Sequence, residues 1–402
     1  MVGAGPAGVA AALAAKRVRP EQHVLLFAEE DRDPYEKPPL SKNVLMGTAE
    51  PESKPIANGP TLAAAGVVFV RGARATKIDR KRREVHFCER RPVAYDTLVL
   101  ATGARARTLP ALPQSMANVH YLRTAVDALV LRDALRRPDR SRGIVVVGAG
   151  LIGLEAAAAA GGSATTVLET GFSAMARVCS ADLAQIVIAR HAMAGVRFLF
   201  RTTIVAASSC NDGLALRLSD GAVLEAGIAI VGIGAKPDID LAVEAGLPAT
   251  EGILVDDHCR TADPTIFAAG DVAQFRTRWC ADPTRRLENW RHALDQGQVA
   301  GTNAAGGEAT YGSVPSFWSD QYELMIQGAG WPDGLTISPV RRTLGEGRVV
   351  EFHMHDGKVR YAVGIGVSRE INIIRRLIEK QVDVTAQTLT DPAVSLQGLL
   401  RP

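Results

Sequence analysis

Glycines at Gly3, Gly5 and Gly8, and again at Gly148, Gly150 and Gly153, leave room for a pyrophosphate against a helix N-terminus. The G-x-G-x-x-G spacing lets backbone approach the anion, and the helix dipole favours its charge. One such cluster is a weak signal. Two of them, about 145 residues apart and each followed by an acid, point to two dinucleotides. The acid would accept the ribose hydroxyls, Glu29 or Glu30 after the first cluster and Glu169 after the second. An acid there repels a 2′-phosphate, and no arginine follows Glu169 until Arg177, which favours NADH over NADPH. Asp271 closes Ile266-Phe-Ala-Ala-Gly-Asp271, where a strand is expected to meet a helix start. A carboxylate there either accepts from a flavin's ribityl chain or caps the helix. His353 and His355 share a strand face with no third ligand near, so no metal is expected. No G-x-S-x-G or activated Cys–His arrangement offers a hydrolase nucleophile.

Both clusters need a strand–turn–helix–strand unit. The second has the strand Ile144–Val147, a helix through Glu155 and Ala156–Ala160, and the strand Thr165–Glu169. The first runs through an alanine-rich helix, Val9–Lys16, into the strand His23–Phe27. Only Met1 and Val2 precede Gly3, so the first strand is read as very short or as lost to a misplaced start. Apolar β-branched strands before glycine turns read as parallel strands buried on both faces. Val67–Val70, Glu84–Phe87 and Thr97–Ala101 look like an antiparallel meander, with Arg80–Arg83 and Glu89–Arg91 as separators. Pro110 and Pro113 mark a linker. Val349–Met354 and Val359–Ile365 flank Asp356-Gly357, a hairpin signal. Ile371, Ile374, Leu377 and Ile378 give Arg369–Lys380 a helical period.

With 402 residues, 47% of them hydrophobic and 22% charged, the chain reads as a multidomain globular protein rather than a disordered one. A net charge of +3 is too small to imply nucleic acid. Ile144–Leu168 is apolar and long enough to span a bilayer, but its glycine fingerprint favours the strand–helix–strand reading, so no membrane association is expected. Cys88, Cys179, Cys210, Cys259 and Cys280 are widely scattered. No C-x-x-C or zinc spacing exists, which suits a reducing cytoplasm. Arg80–Arg83 and Arg132, Arg136, Arg137, Arg140 and Arg142 read as solvated faces, some of which could steer an acidic partner.

Together these features resemble the two-dinucleotide-domain flavoproteins. Pro34-Tyr-Glu-Lys-Pro-Pro-Leu-Ser-Lys42, Ala101-Thr-Gly-Ala-Arg105 and Ser316-Phe-Trp-Ser-Asp-Gln321 are similar to segments of the ferredoxin and rubredoxin reductases of oxygenase systems. The resemblance covers essentially the whole chain, in the family's order. It implies an α/β fold with two Rossmann-like domains and a small C-terminal α+β interface domain. Residues 1–108 with 236–308 would bind FAD, 109–235 would bind NADH, and 309–402 would form the interface domain. FAD contacts are implied at Gly3, Gly5, Gly8, Glu30, Lys37, Pro39, Val70, Ala101, Thr102, Gly103, Arg105, Asp271 and Trp318. NADH contacts are implied at Gly148, Gly150, Ile152, Gly153, Glu169, Arg177, Gly234, Glu288 and Trp290. Lys42 would lie beside the flavin ring, paired with Glu155, and with Trp318 these would be the catalytic residues.

Two departures stand out. Lys37 replaces the family's usual arginine, turning a forked contact into a point charge. The stretch between Glu155 and Glu169 is about two residues short, over half a helical turn, at Gly161-Gly162. The implied function is electron transfer from NADH through FAD to an acidic iron–sulfur carrier, ferredoxin or rubredoxin. That carrier would feed an aromatic-ring dioxygenase or a cytochrome monooxygenase. With no cysteine pair placed for disulfide chemistry, the electrons must leave for an external acceptor. The alternatives are reduction of a quinone or another small acceptor on the same fold, and a non-enzymatic signalling or DNA-binding module of the apoptosis-inducing-factor type.

Overall fold

The computed structural model describes residues 1–137, 142–161, 164–210, 213–279, 284–332, 339–345 and 347–401. The chain divides into two compact units. The first comprises Met1–Glu36, Pro51–Arg105 and Lys236–Ser313; the second comprises Lys37–Glu50, Ala106–Ala235 and Val314–Pro402.

The first unit is built on parallel lanes in the order Val67–Val70, Val24–Phe27, Val2, Leu98–Leu100, Ile266–Ala268. The central lane is represented by Val2 alone. Val2 bridges both Phe27 and Leu100, and its N–H donates to Val99 O at 2.9 Å. The alanine-rich helix Pro6–Val18 follows at once, with proline where its missing N–H costs nothing. Its alanines let the helix Trp290–Ala304 come unusually close. A Cβ on Gly297 would lie 2.3 Å from Ala7 O, and one on Gly301 2.0 Å from Ala11 O. Glycines four apart share one helix face, so this face is a backbone-to-backbone contact.

Within the second unit a five-stranded parallel sheet runs Arg197–Leu199, Thr165–Leu168, Ile144–Val147, Ile228–Val231, Val119–Tyr121. Ile144–Val147 and Thr165–Leu168 are buried throughout, as a lane covered on both faces requires. Ile144–Leu168 is therefore strand, helix and strand. Among the described residues no helix is long and apolar enough to cross a membrane. A separate antiparallel sheet holds Ser316–Gln321, Leu324–Gly330, Lys358–Ile365, Val349–His355 and Val340–Thr343. Its hairpin turns at Asp356 and Gly357, both at positive φ, as the Asp-Gly signal predicts. The helix Ser368–Glu379 buries Ile371, Ile374, Leu377 and Ile378.

The expected meander is wrong in two of its three strands. Val67–Val70 and Leu98–Leu100 are parallel lanes of the first sheet. The antiparallel sheet is Ala75–Asp79, Glu84–Phe87 and Arg90–Ala94. The largely exposed strand Arg90–Ala94 opens on Arg90 and Arg91, which read as part of the separator Glu89–Arg91 rather than as strand. Some basic residues are also less free than a solvated face: Arg80 Nε lies 2.8 Å from Asp263, and Arg132 Nη1 2.9 Å from Glu50. Arg140, Gly162 and Cys280 lie outside the described residues.

Candidate active site

The two fingerprints are built alike. A Cβ on Gly8 would stand 1.8 Å from Gly3 O, and one on Gly153 2.0 Å from Gly148 O. The third glycine of each turn therefore lets the helix close onto the turn's own first carbonyl. Gly3 and Gly148 have φ of +99° and +101°, where a side chain is strained. Gly5 and Gly150 are the N-cap residues of Pro6–Val18 and Leu151–Ala159. Neither helix has a capping side chain or an acid in its first turn, and a Cβ at either cap would meet nothing within 4 Å. Both turns thus present open backbone N–H groups to an anion.

The acids take different places. Glu169 accepts from the backbone N–H of Ala149 at 2.8 Å and of Gly171 at 2.7 Å. The shortened segment before it, whose helix ends at Ala159, still lets the carboxylate reach the glycine turn. In the first unit the Tyr35 hydroxyl lies 2.8 Å from Glu30 Oε2, and Arg74 pairs with Glu29 at 3.6 Å.

The second unit also gathers two of the resembling segments around one carboxylate. Glu155, on Leu151–Ala159, is 2% exposed. Its Oε1 lies 2.9 Å from Lys42 Nζ and accepts from Ser319 Oγ at 2.5 Å; its Oε2 accepts from Ser41 Oγ. The turn Pro38–Ser41, which contains Pro39, delivers Ser41 and then Lys42. The strand Ser316–Gln321 delivers Ser319 from its buried face and leaves Trp318 on the opposite one. An ionised carboxylate inside a protein needs such a full set of partners. Sequence reasoning missed both serines. Period-2 alternation in Phe317-Trp-Ser-Asp-Gln321 already set Ser319 and Gln321 on one face and Trp318 on the other.

The other sequence-derived residues are placed as follows. Lys37 Nζ lies 3.4 Å from Arg123 O. Arg105 pairs with Asp238 at 2.9 Å, and the Thr102 hydroxyl donates to Asp238 O at 2.7 Å. Ala101 and Gly103 continue directly from the strand Leu98–Leu100, and Val70 ends the lane Val67–Val70. Asp271 corrects an expectation: it sits inside the 3-10 turn Gly270–Val272, which leads into the strand Ala273–Phe275. The next long helix starts only at Trp290 and is capped by Asn289, so Asp271 caps no helix. Gln296 Oε1 accepts from Gly270 N at 2.8 Å and fixes this turn. Glu288 pairs with Arg286 at 2.5 Å. In the second unit Ile152 and Arg177 are exposed and Gly234 has a φ of +100°. His353 is buried and His355 exposed, and no His, Cys, Asp or Glu group among the described residues could hold a metal.

A family model for pyridine nucleotide-disulphide oxidoreductases matches residues 1–297, and a reductase C-terminal model matches residues 316–400. The chain is 32% identical over 403 residues to the probable ferredoxin reductase CtmF of Castellaniella defragrans, covering 99% of this chain and 98% of that protein. The chain belongs to this oxidoreductase family, among its ferredoxin reductases. The structure of the ferredoxin reductase for the CYP199A2 system from Rhodopseudomonas palustris superposes with a TM-score of 0.93 at 31% identity, covering 100% and 98% of the two chains. The reductase of a covalent putidaredoxin reductase–putidaredoxin complex gives 0.91 at 31% identity, covering 99% and 97%. The protein is an oxidoreductase that takes FAD and NADH. Two uncapped helix starts, each behind a backbone too close-packed for a side chain, fit two pyrophosphates.

Proposed function

We propose that this reductase passes electrons from NADH through FAD to a small acidic iron–sulfur protein, a ferredoxin or rubredoxin, that feeds an oxygenase. The carrying observation is the convergence of Ser41, Lys42 and Ser319 on the buried Glu155. FAD, when bound, accepts a hydride from NADH and gives up its electrons singly to a one-electron acceptor. Relatives named for such systems support the acceptor class. They include the ferredoxin–NAD(+) reductase component of an anthranilate 1,2-dioxygenase system and the putidaredoxin reductase of Pseudomonas putida.

The residues have distinct tasks in this reading. Gly3, Gly5 and Gly8 admit the FAD pyrophosphate, with Glu30 at its ribose and Asp271 at its ribityl chain. Lys37, Pro39, Val70, Ala101, Thr102, Gly103 and Arg105 complete that site. Gly148, Gly150 and Gly153 admit NADH, Glu169 holds its ribose and disfavours a 2′-phosphate, and Ile152, Arg177, Gly234, Glu288 and Trp290 line its path. Lys42 places a positive charge where the reduced cofactor is negative, Glu155 holds that lysine, and Trp318 covers the ring. Residues 1–108 with 236–308 serve FAD, 109–235 serve NADH, and 309–402 form the carrier-facing part. A reducing cytoplasm is the localisation this reading favours, supported by the four described thiols, which carry no disulfide.

The test is anaerobic stopped-flow. The purified protein should be yellow, bleach on NADH addition, and then reduce a ferredoxin faster than a quinone. A colourless protein that stays colourless with added FAD, or a preference for quinone, would sink the reading.

A further inference from the structure

Behind Glu155 the hydrogen bonds continue within the second unit. Gln321 Nε2 donates to Ser319 Oγ at 3.1 Å, and Gln321 Oε1 lies 3.0 Å from His191 Nε2. Ser319, Gln321 and His191 are fully buried. His191 stands on the helix Ala181–Met193, edge-on to Tyr322 at 4.9 Å and to Phe198 at 6.0 Å. Burial lowers its pKa; the bond to Gln321 opposes this, and the Arg190 charge adds to it. The ring is therefore neutral at neutral pH and carries one N–H.

The position of that hydrogen follows from the ring's partners. Nδ1 meets no hydrogen-bond partner among the described residues, whereas Nε2 faces the Gln321 amide. A buried N–H without an acceptor is costly, so the hydrogen sits on Nε2 and is donated to Gln321 Oε1. The amide NH2 then points at Ser319 Oγ, and the serine hydrogen is left for Glu155. Turning the amide over would strand the N–H on Nδ1 and draw the Ser319 hydroxyl away from the carboxylate. Every donor in this chain points toward Glu155. An amide at its centre passes no proton without rearranging, so the chain orients rather than conducts.

We propose that His191, Gln321 and Ser319 are positioning residues for the Lys42–Glu155 pair. They form a one-way chain of donors that turns the Ser319 hydroxyl onto Glu155 and, with Ser41 on the other oxygen, sets where Lys42 stands. Only the kinetic consequence rests on Lys42 acting at the flavin; the order of donors belongs to the chain itself.

The experiment uses full-length, FAD-loaded protein with 15N-labelled histidine, His191 being assigned by the loss of its signals in His191→Phe. Long-range 1H–15N spectra should show His191 neutral with its hydrogen on Nε2. Gln321→Leu should abolish that preference and draw the two ring-nitrogen signals together. Ser319→Ala and Gln321→Leu should each slow flavin reduction at saturating NADH about tenfold, with KM within about twofold, as loss of a charge-assisted hydrogen bond predicts. Ser319→Thr keeps the hydroxyl and should recover most of the rate. A wild-type hydrogen on Nδ1, an unchanged rate in Ser319→Ala, or a Ser319→Thr as slow as the alanine variant would each overturn the proposal. Unchanged flavin reduction in Lys42→Ala would overturn the role of Lys42 instead and leave the tautomer result standing.

Discussion

The two nucleotide-binding halves share one plan and differ in what they bury behind it. Each has a fingerprint strand at the centre, the next two lanes on one side and the fourth on the other. Each inserts a three-stranded antiparallel sheet between its third and fourth lanes: Ala75–Asp79, Glu84–Phe87 and Arg90–Ala94 in the first, Ile204–Cys210, Gly213–Leu218 and Val223–Ala226 in the second. In the first unit the buried ionisable group behind the Asp271 turn is His292. It lies 2.7 Å from the Tyr311 hydroxyl and stacks on Phe275 at 5.0 Å. Burial holds its pKa down to about 4, against a weaker pull from Asp271, so it is uncharged in the working protein. The second unit, besides the neutral His191, sets the buried Glu155 against the half-buried Lys42. His292 meets burial by giving up its charge, whereas Glu155 meets it with a cation and two hydroxyls.

The largest effect should come from breaking the charged pair. Lys42→Ala leaves Glu155 buried without its cation and should cost about 3–5 kcal/mol, read by urea unfolding. A paired change, Lys42→Met with Glu155→Gln, should recover most of that stability but not activity. A cost below about 1 kcal/mol would make this an ordinary surface pair and dissolve the contrast. The neutral group predicts an acid effect of similar or smaller size. The folded pKa of His292 lies below its ordinary 6.5, so the unfolded chain takes the proton first. Stability fully present above about 6.5 is therefore lost as pH falls toward about 4, by about 3 kcal/mol. His292→Gln should flatten that slope; an unchanged slope would assign acid sensitivity elsewhere.

The shared plan predicts smaller, separable effects. Gly8→Ala and Gly153→Ala each force a Cβ onto a carbonyl and should cost about 1–3 kcal/mol locally. The first should lose FAD colour. The second should keep the colour but weaken NADH binding in titration. Loss of FAD from Gly153→Ala would show that the halves do not bind separately. Least of all, Glu169→Gln should lower the preference for NADH over NADPH about tenfold, or 1.4 kcal/mol, in kcat/KM comparisons.

What could be read from sequence followed the strength of local constraint. The fingerprints were legible because only glycine tolerates Cβ positions 2.0 Å or less from a carbonyl, as at Gly8 and Gly153. The Asp356-Gly357 hairpin and the helix around Ile374 were legible because turn chemistry and periodicity act over a few residues. The meander was misassigned because lane membership is decided by a partner far along the chain: Leu98–Leu100 pairs with Ile266–Ala268. Short apolar runs look the same in either kind of sheet. Asp271 was misplaced for a similar reason, since a strand-ending acid looks alike before a helix and inside a 3-10 turn. The serines on Glu155 were visible as letters but not as partners. Ser41 and Ser319 are 278 residues apart, and each meets Glu155 only through tertiary folding.

The backbone contact of Pro6–Val18 with Trp290–Ala304 carries a consequence for biosynthesis. Ala7 meets Gly297 across about 290 residues, so the first unit closes this face only after the later helix has left the ribosome. The parallel lanes of the second unit all lie between Val119 and Val231 and are complete well before that. During synthesis the second unit's parallel sheet can thus be folded while the first fingerprint helix still lacks the partner that seats it. A nascent chain paused before Trp290 would remain a target for chaperones at its alanine-rich first helix.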